Sequence, residues 1–180
     1  MAIKNFIQQV QQAAKGRPKS TEWYRDKIKE FGKPGAMDLI RDGKRANTPF
    51  YGRLNMFFYD PKYKKKLPYY DTFPLILPIG GAAGGFLGLN LHYLPPRYRI
   101  RLLDALYTNV TDGGFDINYK MVKSIGAYRW AKPCVKQYLN GHFDSYIKEV
   151  EPKYWDMVSM LPTTKFNINA NTVYAESMRK

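Results

Sequence analysis

At 180 residues with a formal charge of +14, the chain is long enough for one domain with a substantial buried core and too basic to be indifferent to anions. Its 44% hydrophobic content, with fifteen tyrosines and ten phenylalanines, excludes a disordered tail, and its single cysteine, Cys134, excludes an intrachain disulfide and a thiolate zinc cluster. The charge is concentrated early: residues 1–67 hold 16 Lys and Arg against 6 Asp and Glu, and the remainder hold 13 against 9, which points the first third toward an anionic partner.

In chain order, Ile3, Phe6, Ile7, Val10 and Ala14 recur at the spacing of one helical face and predict an amphipathic N-terminal helix. An apolar face on Ile3, Phe6, Ile7 and Val10, ahead of a flexible joint, needs something to cover it and is a candidate partner-binding surface. The segment lacks the apolar core and cleavage site of a secretory signal, so no export address is expected. After Gly16 and Pro18, Ser20 or Thr21 can cap a second helix carrying Trp23, Tyr24, Ile28 and Phe31, which Gly32 and Pro34 end. Residues 33–52, rich in Gly, Lys, Arg and Asn, read as a linker with one turn of helix at 37–40.

The sheet is expected to begin at Arg53, where Leu54, Met56 and Phe58 alternate with Asn55, Phe57 and Tyr59 before the turn-forming Asp60-Pro61. Residues 72–96 then form an uncharged block, TFPLILPIGGAAGGFLGLNLHYLPP, as long as a membrane span. Pro74, Pro78, Pro95 and Pro96 remove helix donors, and five glycines each disfavour a helix by about 1 kcal/mol, so the block reads as a β-hairpin of strands 75–79 and 86–93. Leu87, Leu89, Leu91 and Tyr93 should face the core and Gly88, Asn90 and His92 a more polar side. Pro78 cannot donate to a ladder, which places its strand at an edge or gives it a bulge.

Pro95-Pro96 introduces a helix over about 97–108 that buries Ile100, Leu103, Leu106, Tyr107 and Val110. Asp112-Gly113-Gly114 is a turn, and short helices are expected over 119–125 and 132–139, the second stopped by Asn140-Gly141. Residues 146–150 suit a strand, Pro152 starts a helix that Pro162 stops, 165–168 return toward the sheet, and an extended arm follows from Asn169.

No catalytic constellation stands out, and no metal or cofactor is expected. The GGAAGG loop is followed by a strand and not by the helix that a phosphate cradle requires. His92, His142 and Cys134 carry no nucleophile or ligand spacing, and Glu149, Glu151 and Lys153 mimic a nuclease motif whose intervening Pro152 better starts a helix. Asp112, Asp116 and Asn118 fall short of a calcium loop because Lys123 stands where the closing glutamate belongs. The strongest binding signal is basic clusters interleaved with tyrosine: Arg41, Lys44 and Arg45; Lys62, Lys64, Lys65 and Lys66 around Tyr63; and Arg97, Arg99 and Arg101 around Tyr98. Such surfaces follow phosphates while aromatic rings stack on bases.

The strings YDPKYKKKLPYYDTFPLILPI, GGFLGLNLHYLPPRYR and YWDMVSMLPTTKF resemble a short protein of T4-like tailed bacteriophages and their cyanophage relatives, over about residues 50–180. The resemblance implies a virion or virion-assembly component of the tail, baseplate or neck. The residues are then read as those of a non-enzymatic structural protein, assembled in the host cytoplasm, with virion proteins and ring-forming copies of itself as partners, DNA as a further one, and no membrane. The expected fold is α+β: a small curved antiparallel sheet, with an SH3-like barrel as one way to close it, packed by short helices. The expected organisation is a basic helical arm and linker at 1–49, a core domain at 50–168 and a C-terminal arm at 169–180. The alternative is a DNA-binding protein acting on ends or single strands, and a third reading is a metal-dependent nuclease using Asp71, Asp104, Glu149 or Glu151.

Overall fold

A computed structural model describes residues 26, 35–41, 43–107, 131–163 and 165–179. The helices expected over 3–14 and 119–125 lie outside the described residues, as do Ile3, Phe6, Ile7 and Val10, and of the second N-terminal helix only Asp26 is described, as helical.

Among the described residues, six strands form one antiparallel sheet: β1 (Arg45–Ala46), β2 (Leu54–Met56), β3 (Leu75–Ala82), β4 (Gly85–Asn90), β5 (Val135–Leu139) and β6 (Ile147–Val150), in spatial order β1-β6-β2-β3-β4-β5. Around it lie α1 (Ala36–Leu39), α2 (Pro96–Tyr107), α3 (Trp155–Met160) and α4 (Ala170–Arg179). The α+β expectation is met, and the sheet stays open between β1 and β5 instead of closing into a barrel.

The uncharged block is the central hairpin. β3 and β4 pair from Ile76 opposite Asn90 to Ala82 opposite Gly85, and Gly84 supplies the left-handed turn residue at φ 72°. β3 is an interior strand, so Pro78 is accommodated by its other option, a register shift between Pro78 and Gly80. β4 ends at Asn90, and Leu91–Tyr93 wind into a 3-10 turn ahead of α2.

Both sheet faces are apolar, where one was expected to be more polar. The larger core joins Leu54, Met56, Leu75, Leu77 and Leu89 to Leu103, Trp155 and Val158 of the helices. Its opposite is an aromatic cluster in which Phe57 meets Tyr138 edge-on at 5.2 Å and Phe143 at 5.0 Å, with Phe86, Tyr59 and Ile76 beside them. All three residues of β2 are consequently buried, and strict alternation breaks down.

Three further expectations change. Residues 132–139 are not a helix: Lys132–Cys134 make one 3-10 turn and the rest is β5, paired along β4 from Leu89 opposite Val135 to Gly85 opposite Leu139. The open edge of β4 offers that segment a hydrogen-bonded ladder and a slot for the fully buried Tyr138 ring, and this tertiary gain outweighs local helix preference. The segment from Asn169 is no extended arm either, since Asn169 Oδ1 accepts from Asn171 N–H and opens α4, whose Val173 is buried in the main core. Nor do residues 36–46 behave as a loose linker, because Leu39 and Ile40 are buried and β1 joins the sheet.

Candidate nucleic-acid interface

After β2 the chain passes Tyr59, bridged to Phe143, and Pro61 starts a tight turn in which Lys64 N–H donates to the Pro61 carbonyl, while Lys66 N–H and Leu67 N–H donate to that of Tyr63. One winding of backbone thus displays residues 62–67 to solvent, bringing Lys62, Lys64, Lys65 and Lys66 together as expected. Lys62 Nζ stands 5.5 Å from the centre of the Tyr63 ring, which is 54% exposed. Lys64 is tied to Asp60 at 2.6 Å, and that hydrogen bond raises its pKa.

Beneath this turn lies a pocket of about 440 Å³. Tyr59, Tyr70, Tyr93 and Tyr138 line it, and β5 contributes Lys136 and Gln137. Lys136 Nζ sits 4.2 Å from the Tyr93 ring centre, well inside cation–π range. Burial pushes the Tyr59, Tyr93 and Tyr138 hydroxyls above their ordinary range, so these three rings stay neutral, and among the described residues the formal charges of the lining are Lys62, Lys136 and Asp71.

Asp71 and Asn90 lie at the pocket's inner side, and both are committed to the fold. Asp71 Oδ1 accepts from Phe73 N–H at 3.0 Å, while Oδ2 accepts from Asn90 Nδ2 at 3.2 Å and from His92 Nδ1 at 2.7 Å. Asn90 Oδ1 in turn accepts from His92 N–H. Burial pulls the His92 pKa below its ordinary value, only partly offset by Asp71, so the ring is neutral with its proton on Nδ1 toward the carboxylate. Cys134 is fully buried, its thiol pushed up to about 12, which removes it as a nucleophile at neutral pH. His142 uses Nδ1 to bond the Asp60 carbonyl.

The first basic cluster gathers at the other end of the strand order. Arg45 on β1 pairs in register with Lys148 on β6, and its guanidinium stands 5.3 Å from the Tyr146 ring centre. Lys44 is exposed, and Arg41 is exposed and ion-paired to Asp38. Lys148 Nζ donates to the Ile40 and Arg41 carbonyls, tying α1 to the sheet at one border of a groove of about 780 Å³.

In the third cluster, Arg99 does not reach the surface. Arg99 is fully buried, its Nε donating to the Leu94 carbonyl, Nη1 to the Ser159 and Leu161 carbonyls, and Nη2 to Thr163 Oγ1 and Tyr174 Oη. It is a structural clasp between α2, the end of α3 and α4, and it leaves the set of anion-binding candidates. The Arg97 and Arg101 side chains lie outside what the structure describes. Conversely, Lys136 and Tyr93 were not anticipated at the site, because reading 132–139 as a helix hid the alignment of β5 with β4.

Of the carboxylates considered for a nuclease, Asp71 is buried against His92 and Glu149 lies 3.6 Å from Arg53, and no group of three or more potential metal ligands occurs among the described residues. Among them, too, no helix is long and apolar enough to cross a membrane.

A family model described as Phage T4 terminal DNA protecting protein matches residues 1–179. The chain belongs to that family. The resemblance to proteins of T4-like phages therefore extends through the basic N-terminal third, beyond residues 50–180. The tail, baseplate or neck role is overturned, because a family described by DNA termini agrees with the alternative reading and not with a structural part of the particle. Comparison with curated proteins and with solved structures finds no match.

Proposed function

We propose that this protein binds the ends of double-stranded DNA without regard to sequence and shields them, as a binding protein and not an enzyme. Membership of the terminal DNA protecting family supplies the class of partner, and the lysine-bearing turn at 62–66 over a tyrosine-lined pocket is the observation that carries the reading. An end differs from the interior of a duplex in exposing a base face with no stacking neighbour. A surface combining cations with aromatic rings suits that feature, as stacking tolerates any base and lysines engage the adjoining phosphates.

Arg41, Lys44 and Arg45 supply a second set of phosphate contacts, along the duplex and away from its end. Arg45 and Tyr146 repeat there the pairing of a cation with an exposed ring.

The test compares one linear duplex with open ends against the same sequence closed by hairpins at both ends. Tighter binding of the open form, with protection of its ends from an exonuclease, is expected; equal affinity for both forms would overturn the proposal.

A further inference from the structure

The pocket beneath residues 62–67 has features that general attraction to phosphate does not require. Its volume of about 440 Å³ falls in the small-ligand range of roughly 300–1,000 Å³, and five tyrosines contribute to its lining. Resting on the end-binding reading above, we propose that this pocket receives the terminal nucleobase of one DNA strand, unstacked from its neighbour, with Tyr63 closing over its face.

Three observations choose this occupant. Tyr63 is half exposed at the pocket rim, and the cation beside it, Lys62, belongs to the same turn, so a base entering there meets a ring face and a positive charge together. Lys136, also in the lining, is held over Tyr93 and supplies a second cation for the phosphate joining the last two nucleotides. Finally, Asp71 and Asn90, the polar side chains best placed to read a base edge, are already bonded to each other and to Phe73 and His92. With those two side chains engaged, stacking on the exposed Tyr63 ring is the contact that suits termini of any sequence. The last base pair has a stacking neighbour on one side only, so unstacking a base there costs less than it would inside the duplex.

The experiment uses the full chain and a duplex closed by a hairpin at one end, either intact or abasic at the last nucleotide of its open end. Loss of the base should weaken wild-type binding by roughly 5- to 150-fold, the affinity equivalent of one base stacked on an aromatic ring. Tyr63→Ala should weaken binding of the intact DNA to a similar degree and then show no further loss with the abasic DNA, whereas Tyr63→Phe should behave as wild type. Because Tyr63 is half exposed, the fold should be unaffected, and matched melting curves check this. If base removal costs nothing in the wild type, or costs as much in Tyr63→Ala, while open ends are still preferred to closed ones, the pocket assignment is overturned and end binding stands. If open ends are not preferred at all, both readings are overturned.

Discussion

Lys136 on β5 holds its ammonium 4.2 Å from the ring centre of Tyr93, which belongs to the turn after β4. Two segments that the sequence separates are joined there, and their junction is one rim of the pocket. Lys136→Met should retain the fold while weakening binding to open-ended DNA by about tenfold, with little change for hairpin-closed DNA. Fluorescence anisotropy on the two substrates measures this, and equal losses on both would assign Lys136 to general phosphate attraction.

The lysines of the 62–66 turn should differ in a measurable way. Lys64 is engaged by Asp60, whereas Lys65 and Lys66 are exposed and have no ion pair among the described residues. Replacing both Lys65 and Lys66 by Gln should flatten the dependence of log K on log salt by up to about 1.8, at roughly 0.9 for each phosphate no longer neutralised. Lys64→Gln alone should change the slope less, because its charge is already partly balanced. Titrations across a salt series check both variants.

Much of the candidate site's local structure was legible in the sequence, and the rest was hidden for physical reasons. The run at 62–66 announced itself because four lysines around a tyrosine, after Asp60-Pro61, cannot be buried and suit a turn. The hairpin was legible because glycine and proline veto a helix whatever the surroundings. Arg99 was not, since nothing local distinguishes an arginine that meets phosphate from one that meets carbonyl oxygens: the decisive Ser159 and Leu161 carbonyls arrive from sixty residues away. β5 was hidden for a similar reason. Its ladder partner is β4, and the pairing of Gly85 with Leu139 is a fact about the edge that Gly85 presents and not about the VKQYL segment itself.

Arg99 yields a stability prediction opposite in kind to those for the surface lysines. Its guanidinium satisfies the Leu94, Ser159 and Leu161 carbonyls, so Arg99→Met should strand several buried acceptors and destabilise the protein by at least about 3 kcal/mol. Arg99→Lys should restore little, as an ammonium cannot reproduce a planar fork that reaches three segments at once. Urea denaturation measures the loss, and a variant as stable as wild type would refute the clasp.

The Asp71–His92 pair makes a prediction about pH. In the folded protein burial lowers the His92 pKa below the 6.5 of an exposed histidine, and the neutral ring donates from Nδ1 to Asp71 at 2.7 Å. As pH falls through about 6.5 the unfolded chain takes up a proton that the folded chain refuses, so the unfolded state binds more protons and stability must fall with falling pH. The loss should run at up to about 1.4 kcal/mol per pH unit until the depressed folded value is reached. Above about pH 7.5 the group is neutral in both states and should contribute no slope. His92→Asn places an amide nitrogen near Nδ1 and cannot titrate, so it should be less stable than wild type at neutral pH yet lose this part of the acid dependence. Denaturant midpoints for both proteins between about pH 5 and 8 decide the matter: parallel curves would mean that His92 does not titrate differently on folding, and that the acid sensitivity belongs elsewhere.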